Sequence, residues 1–200
     1  MSTLGVILAG GLARRMGGQD KALIELDGRP LLSKVRDRLA PQVDAMALNA
    51  NGDGARFRTD LEVIPDLDES RAGPLAGVLA GLMAAREAGH TRIVTCAVDT
   101  PFFPRTLVAD LRRAASDEGH PLACAATGER THPVFGLWPV DLADDLAEAM
   151  AAGMRKVDIW TGKHGCAVAR YSADPIDPFF NVNTPEDLAQ AEEIAAEMTL

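Results

Sequence analysis

The segment from Leu8 to Lys21 reads LAGGLARRMGGQDK and directly follows the apolar run Leu4–Ile7. This order predicts a buried strand that ends in a glycine-rich loop. Glycines let backbone N–H groups approach an anion closely, and the loop adds the positive charges of Arg14, Arg15 and Lys21. We therefore interpret the segment as a polyphosphate-binding loop rather than as a surface loop without a ligand.

Two common phosphate-binding motifs do not match this loop. The P-loop pattern GxxxxGK[ST] places a hydroxyl residue after its lysine, whereas Ala22 follows Lys21 in this chain. The dinucleotide-binding pattern GxGxxG needs alternating glycines, but Gly10–Gly11 and Gly17–Gly18 are adjacent pairs. The sequence therefore argues against both a P-loop NTPase and a NAD- or FAD-binding domain.

Length and composition indicate one acidic domain. The chain has 200 residues, of which 47% are hydrophobic, and this is enough for one substantial core but not for two. A formal net charge of −9 argues against a broad basic face for nucleic acid, although a few local cations can still bind a nucleoside triphosphate. We predict a single domain over residues 1–200 that binds no nucleic acid.

The chain has no evident targeting signal, which favours a cytoplasmic protein. No basic residue precedes its N-terminal apolar stretch, unlike a secretory signal, and the longest uncharged run, 72–85, is too short to span a bilayer. Cys96, Cys124 and Cys166 lack the CxxC spacing of a zinc or redox pair. We expect them to be core side chains rather than reactive thiols, and we expect no membrane partner.

The order of the predicted elements indicates an α/β fold. The strand candidates are mostly continuous apolar runs, which are typical of a parallel sheet that is covered on both faces. Helical patterns lie between them, so we predict a doubly wound, mostly parallel sheet with helices on both faces. The predicted strands are Leu4–Leu8, Ala45–Asn49, Glu62–Ile64, Ile93–Val98, Leu122–Ala126, Val134–Trp138 and Ala167–Tyr171. The predicted helices are one from Pro30 that ends before Pro41, then Leu75–Ala88, Arg105–Ala115, Val140–Ala152 and Pro185–Met198.

Polar residues follow the first four predicted strands. The glycine-rich loop follows the first strand, Asn49 ends the second, Asp66 follows the third and Asp99 follows the fourth. Ligands of open parallel sheets bind beyond the carboxyl ends of the strands. We therefore expect these four segments to converge on one nucleotide site.

Asp99 is the candidate metal ligand. Mg²⁺ usually takes one or two carboxylates together with phosphate oxygens and waters, so one aspartate at the sheet edge is sufficient. Two alternatives remain at this stage: Asp99 could cap the turn that follows it, and Lys21 could be an ordinary surface lysine.

The glycine-rich segment resembles the signature of the molybdenum cofactor guanylyltransferases, the MobA family of nucleotidyltransferases. Their approximate pattern is LAGGxxxRMGGxDK, and it matches ten residues of this chain. The matching residues are Leu8, Ala9, Gly10, Gly11, Arg15, Met16, Gly17, Gly18, Asp20 and Lys21. The resemblance covers essentially the whole chain, because it continues through 49–51, 73–77, 99–101, 132–133 and 181–185.

This resemblance implies a Rossmann-like nucleotidyltransferase domain whose N-terminal part binds the nucleotide and whose C-terminal part binds the acceptor. The implied reaction is Mg²⁺-dependent transfer of GMP from GTP to the phosphate of molybdopterin that carries molybdenum. The reactants are all anionic, so the protein needs to position them and offset their charge, without a covalent nucleophile. Transient contacts with proteins that deliver or receive the cofactor are also implied.

The resemblance also assigns roles to individual residues. Lys21, Arg15 and Asp99 are the catalytic candidates, and Asp99 is the metal ligand. The implied nucleotide-binding residues are Leu8, Ala9, Gly10, Gly11, Lys21, Asn49, Asp66 and Asp99, and the implied acceptor-binding residues are Arg155, Asn181 and Asn183.

Several alternatives stay open from the residues alone. The amide of Asn49 has donor and acceptor atoms, so it could read guanine or another base, and a cytidylyltransferase or a sugar-phosphate nucleotidyltransferase would share the chemistry. A nucleotide binder without turnover is a different class, against which the combination of Lys21 and Asp99 argues. Asn181 could be a turn residue and Asn183 a helix cap.

Overall fold

The computed structural model describes residues 2–10, 12–13, 19–67 and 73–199. Eleven strands lie within these ranges. In chain order they are β1 (Thr3–Leu8), β2 (Leu12–Ala13), β3 (Gln19–Asp20), β4 (Glu25–Leu26), β5 (Arg29–Pro30), β6 (Ala45–Asn49), β7 (Glu62–Ile64), β8 (Arg92–Ala97), β9 (Leu122–Thr127), β10 (Arg130–Pro139) and β11 (Cys166–Tyr171).

Seven of these strands form the central sheet in the order β11-β9-β10-β8-β1-β6-β7. Strands β8, β1, β6 and β7 are parallel neighbours and β11 is parallel to β9, whereas β10 is antiparallel to both β8 and β9. The remaining strands form two short ribbons, β2 with β3 and β4 with β5. The predicted mostly parallel sheet is confirmed, and each predicted strand is present.

The reversed direction of β10 follows from the short connection before it. Only Gly128 and Glu129 separate β9 from β10, and Gly128 has φ of +54°. Two residues can join antiparallel neighbours, whereas a parallel pair needs a long crossover. The two-residue turn at Asp27 and Gly28 has positive φ at both positions and joins β4 to β5, as the Asp-Gly pair predicts.

Six α-helices in the described ranges pack around the sheet. Those on one face, α1 and α3, share a core with Ile7 and Val94, and those on the other face, α2, α4 and α5, share a core with Val6 and Ile93. The predicted covering of both faces is therefore confirmed. The helices are α1 (Leu31–Leu39), α2 (Pro74–Glu87), α3 (Leu107–Glu118), α4 (Ala143–Ala151), α5 (Val157–His164) and α6 (Pro185–Thr199).

Helix α5 was not predicted from the sequence. Its residues include Val157, Ile159, Thr161 and Gly162, which are weak helix formers. Burial stabilises it instead, because the fully buried ring of Trp160 stacks near Trp138 with 6.1 Å between ring centroids. Tertiary packing thus overrides a local preference at this position.

Helix α2 packs closely on the sheet because glycines face it. A Cβ atom on Gly77 would overlap Oδ1 of Asn49 and lie 2.8 Å from Cδ2 of Leu8, and one on Gly81 would lie 2.9 Å from Cγ2 of Val6. The helix begins with Pro74 and ends at Glu87, one residue before the predicted end, and Gly89 follows at φ of +77°, a conformation that glycine favours after a helix. The small residues of α2 therefore set its distance from the ends of β1 and β6.

The three cysteines lie in or beside the core. Cys96 and Cys124 are buried and Cys166 is half-buried, so the expectation of core cysteines is confirmed. Cys124 and Cys166 lie on the neighbouring strands β9 and β11, which their spacing in the sequence did not indicate. Among the described helices, none combines the length and the apolar character that crossing a bilayer requires.

Substitution of Gly77 by alanine should destabilise the protein by about 1–3 kcal/mol, because the added methyl group overpacks a filled space against Asn49 and Leu8. Gly162→Ala in α5 is the matched control, since no atom lies within 4 Å of a Cβ at Gly162. Alanine at this helical position should be neutral or slightly stabilising. Urea unfolding of both variants measures the difference, and equal stability of the two would contradict the packing argument.

Candidate active site

The first four strands of the central sheet along the chain, β1, β6, β7 and β8, end together at one edge of the sheet. Leu8 at the end of β1 is in register with Asn49 on β6 and Ala97 on β8, and Asn49 is in register with Ile64 on β7. Asp66 and Asp99 follow two residues after their strands. The predicted convergence of these segments is therefore present in the fold.

Lys21 lies at the centre of a polar cluster on this edge. Its Nζ is 2.8 Å from Oδ2 of Asp99 and also donates a hydrogen bond to Oδ1 of Asn183. The side chains of Lys21 and Asp99 are only 19% and 15% exposed, so their mutual attraction is weakly screened. Lys21 begins a short 3₁₀ turn that Asp20 caps by accepting from Ala22 N at 3.1 Å. Lys21 is thus held at the site and is not a solvated surface lysine.

The C-terminal segment between β11 and α6 completes the cluster. The backbone N–H of Val182 donates to the carbonyl oxygen of Asp99 at 2.8 Å, and the Val182 side chain is fully buried. Asn181 and Asn183 flank Val182 and therefore lie on either side of this anchor. Oδ1 of Asn181 is 2.8 Å from the hydroxyl of Thr100, which is also 3.2 Å from Oδ1 of Asp99.

The start of α6 is capped by other residues. Thr184 Oγ1 accepts from Asp187 N at 3.1 Å, and Asp187 Oδ2 accepts from Thr184 N and Asn183 N, each at 2.9 Å. This reciprocal arrangement is a capping box with aspartate in place of glutamate. The side chain of Asn183 is therefore free of the capping role and binds Lys21.

A second polar cluster lies at the ends of β6 and β7. Nδ2 of Asn49 donates to the carbonyl of Ile64 at 3.1 Å and to Oδ1 of Asp66 at 2.9 Å. Asn51 Nδ2 donates to Oδ2 of Asp66 at 2.8 Å, and its Oδ1 accepts from Asp66 N at 2.8 Å. Both N–H groups of the buried Asn49 amide thus donate hydrogen bonds within the protein. The carboxylate of Asp66 is oriented by the side-chain amides of Asn49 and Asn51.

Within the glycine-rich loop, the structure describes Leu8–Gly10, strand β2 and the residues from Gln19 onward. Leu8 and Ala9 are buried, Ala9 N donates to the carbonyl of Asn49 at 2.9 Å, and Gly10 is exposed with nothing within 4 Å of a Cβ at that position. The predicted site residues Gly11 and Arg15 lie outside the described residues.

Arg155 follows α4 and is separate from the Lys21 cluster. Its Nη1 donates to the carbonyls of Met150 and Met154 at 2.8 and 2.7 Å, rather than to a member of that cluster. Arg86 near the end of α2 pairs with Asp144 at the start of α4 at 2.9 Å, so these helices run antiparallel. Arg155 follows the opposite end of α4 from this ion pair.

His132 packs against the C-terminal segment through Phe179. It is buried, its Nε2 is 2.7 Å from Thr127 Oγ1, and its ring stacks on Phe179 with 4.4 Å between centroids. Phe179 also packs edge-on against Phe135 and Tyr171. Sequence reasoning assigned no role to Thr100, Phe179 or the signature residue Asp20, because their roles depend on contacts between distant segments.

The donor atoms around Asp99 fit a hard cation. They are the carboxylate oxygens of Asp99 itself, which suit Mg²⁺ because that ion takes one or two carboxylates and completes its shell with phosphates and water. Within the described ranges, no group of three or more His, Cys, Asp or Glu side chains is placed to hold a metal. The fit is therefore to a single-carboxylate site.

A mostly parallel sheet with polar clusters at the carboxyl edge of its strands has the arrangement of a nucleotide-binding α/β protein. Residues 5–170 match the family described as the MobA-like NTP transferase domain, and the chain belongs to this family.

Curated relatives match nearly the full chain. The molybdenum cofactor guanylyltransferase of Bradyrhizobium sp. strain ORS 278 is 51% identical over 196 residues, covering 96% of this chain and 92% of the relative. The protein of the same name from Cereibacter sphaeroides is 49% identical, with 97% of each chain covered. The resemblance seen in the sequence is therefore confirmed.

Solved structures share the fold. Molybdopterin-guanine dinucleotide biosynthesis protein A from Archaeoglobus fulgidus has a TM-score of 0.77 and 25% identity, with 98% of this chain and 100% of that chain covered. A nucleotidyl transferase from Methanothermobacter thermautotroptrophicus has a TM-score of 0.75 and 19% identity, with coverage of 98% and 99%. The second likeness supports the fold alone.

Protonation of His132 should destabilise the protein as the pH falls below about 6.5. Burial lowers the pKa of His132 below its ordinary value, an effect that Asp177 opposes and Arg130 reinforces. The unfolded chain therefore binds a proton at His132 more readily than the folded chain, so stability decreases as the pH falls through this window. We expect His132→Gln to lose less stability than wild type between about pH 7 and pH 5 in urea unfolding.

The exposed His120 is the control for this experiment. His120→Gln should keep the wild-type dependence of stability on pH. An unchanged pH dependence in His132→Gln would show that other groups cause the loss of stability.

Proposed function

We propose that this chain is a Mg²⁺-dependent guanylyltransferase that transfers GMP from GTP to the phosphate of molybdopterin carrying molybdenum. The observation that carries the proposal is the cluster of Lys21, Asp99 and Asn183 at the carboxyl edge of the sheet. It lies in a chain that is 51% identical to a protein named molybdenum cofactor guanylyltransferase. The substrates and the roles of single residues belong to the proposal.

The proposed reaction is an in-line displacement at phosphorus. An oxygen of the acceptor phosphate attacks the α-phosphorus of GTP, the bond from that phosphorus to the β-phosphate oxygen breaks, and pyrophosphate leaves. Mg²⁺ held by Asp99 would stabilise the charge on the transferring and leaving phosphates. Lys21 offsets negative charge on the triphosphate, and Arg15 is proposed to do the same from the glycine-rich loop.

The asparagines of the C-terminal segment suit an anionic acceptor. The amide oxygen of Asn183 accepts from Lys21, and the amide oxygen of Asn181 faces the Thr100 hydroxyl. The NH₂ groups are the donor ends of both amides, and we assign them to phosphate oxygens of the acceptor or of pyrophosphate. Arg155 is also proposed to contact the acceptor.

Base recognition is assigned to Asp66 together with the backbone of Leu8, Ala9, Gly10 and Gly11. Each Asp66 oxygen accepts one amide hydrogen bond and retains a lone pair. Guanine presents two neighbouring donors, its N1–H and its 2-amino group, which a carboxylate can accept together. Asn49 then acts by orienting Asp66, because both of its N–H groups are already used within the protein.

The assay that tests this function measures pyrophosphate release. GTP, CTP, ATP and UTP are each supplied with Mg²⁺ and molybdopterin carrying molybdenum, and each is repeated without the acceptor. We expect acceptor-dependent release with GTP alone. Release with CTP would instead support a cytidylyltransferase, and no release with any triphosphate would contradict a transferase acting on this acceptor.

Removal of either charge from the Lys21–Asp99 pair should slow transfer by about 100-fold or more, because each group acts on charge that develops in the transition state. Lys21→Met and Asp99→Asn are the test variants. The ion pair of Lys34 and Asp27, 3.4 Å apart, supplies matched controls in Lys34→Met and Asp27→Asn, because the Lys34 side chain is 19% exposed, like that of Lys21, and Asp27 is exposed. Wild-type rates in Lys21→Met and Asp99→Asn would remove both residues from catalysis.

Asp66→Asn should weaken the preference for GTP over other triphosphates by roughly 10- to 100-fold, the effect of losing hydrogen bonds to a charged group. The change should raise KM for GTP more than it lowers kcat. Asp60→Asn is the control, because Asp60 lies nearby in the sequence but is exposed and pairs with Arg36. An unaltered base preference in Asp66→Asn would place guanine recognition elsewhere.

A further inference from the structure

Arg56 contacts the segments that lead to both polar clusters of the site. It lies on the short 3₁₀ turn Gly54–Phe57, between β6 and β7. Its Nε is 3.1 Å from Oδ2 of Asp20, and its Nη2 is 2.8 Å from the carbonyl oxygen of Asn51. Its Nη1 donates to the carbonyl of Asp53. One guanidinium therefore joins the end of the glycine-rich loop to the loop that follows β6.

The contacts with Asp20 and Asn51 each lead directly to a site residue. Asp20 uses its other oxygen to accept from Ala22 N, and this bond shapes the turn that begins with Lys21. Asn51 holds the carboxylate of Asp66 with its amide and accepts from Asp66 N. The position of Arg56 is thus coupled to the phosphate end and to the base end of the site.

The surroundings of Arg56 restrict its movement. Its guanidinium carbon lies 4.1 Å from the centroid of the Phe57 ring, which is itself buried, and this stacking stabilises a cation. The Asp20 side chain is only 13% exposed, so its charge would be costly without a partner. A planar guanidinium can address three acceptors in fixed directions, which a lysine ammonium on a flexible stem cannot do.

We propose that Arg56 is a positioning residue for the nucleotide site, and this inference rests on the proposed function. Arg56 holds Asp20 so that Lys21 faces Asp99, and it holds the 51–53 loop so that Asp66 faces the base. It acts through these residues and does not itself touch the reacting atoms. The phosphate and base ends of the site are thereby fixed relative to each other.

The neighbouring Arg58 offers a matched control. Arg56 and Arg58 line the same open cavity of about 370 Å³ beside α1. Arg56 binds Asp20 and the 51–53 loop. Among the described contacts of Asp20 and of this loop, none is made by the Arg58 side chain. Replacement of Arg58 by lysine therefore makes the same chemical change in the same cavity without breaking the connection between the two loops.

The kinetic test compares Arg56→Lys with Arg58→Lys. Arg56→Lys retains the charge but loses the directed donors, so we expect kcat/KM for GTP to fall at least tenfold, with a higher KM and a weaker preference for GTP. Arg58→Lys should stay within about twofold of wild type. A lower melting temperature with wild-type kinetics in Arg56→Lys would overturn the proposal, because it would indicate a purely structural role.

A double-mutant cycle tests whether Arg56 acts through Asp20. Asp20→Asn removes the carboxylate charge that Arg56 pairs with. If the two residues act as one unit, Arg56→Lys with Asp20→Asn should cost little more kcat/KM than the worse single variant. Fully additive losses would overturn the proposed connection.

Hydrogen exchange separates this inference from the proposed function, because it needs no turnover. The amides of Ala22 and Asp66 donate to Asp20 and Asn51, respectively. Arg56→Lys should lower the protection of both amides, while Arg58→Lys should leave it unchanged. If wild type shows no transferase activity but this exchange pattern appears, the function is wrong and the positioning role stands. Unaltered protection in Arg56→Lys overturns the positioning role.

Discussion

The geometry of the site depends on the ion pair between Lys21 and Asp99. Lys21 lies in the turn after the glycine-rich loop. Asp99 follows β8, which is a parallel neighbour of β1 in the sheet. The same aspartate accepts a backbone hydrogen bond from Val182, which brings in the C-terminal segment. Since both charged groups are largely buried, each would be costly without the other. The pair therefore holds three distant parts of the chain at one sheet edge.

Much of the fold was predictable because its strands are apolar and buried. The bounds of β6 and β7 agree with prediction, and the helix stops at Gly89 and before Pro41 follow from known residue preferences. The direction of β10 could not be read from hydrophobicity, because that pattern does not report which way a strand runs. It depends on the two-residue turn at Gly128 and Glu129.

Individual site residues were predictable only where the chemistry and the position of the residue together allow few roles. Asp99 after a buried strand and Lys21 after glycines were identified from position and chemistry, and the structure places them in contact. Asn49 was expected to face the base, but its N–H groups bind Ile64 and Asp66. An asparagine can serve as reader or as support, and only the surrounding contacts separate these two roles.

The contact between Lys21 and Asn183 spans 162 residues of the chain. During synthesis on the ribosome, both asparagines of the C-terminal segment emerge long after the glycine-rich loop. A nascent chain can thus form the early strands while its polar cluster still lacks two amides. A chain that stops before residue 181 therefore lacks two members of the polar cluster, and the cluster can form only after the C-terminal segment has been made.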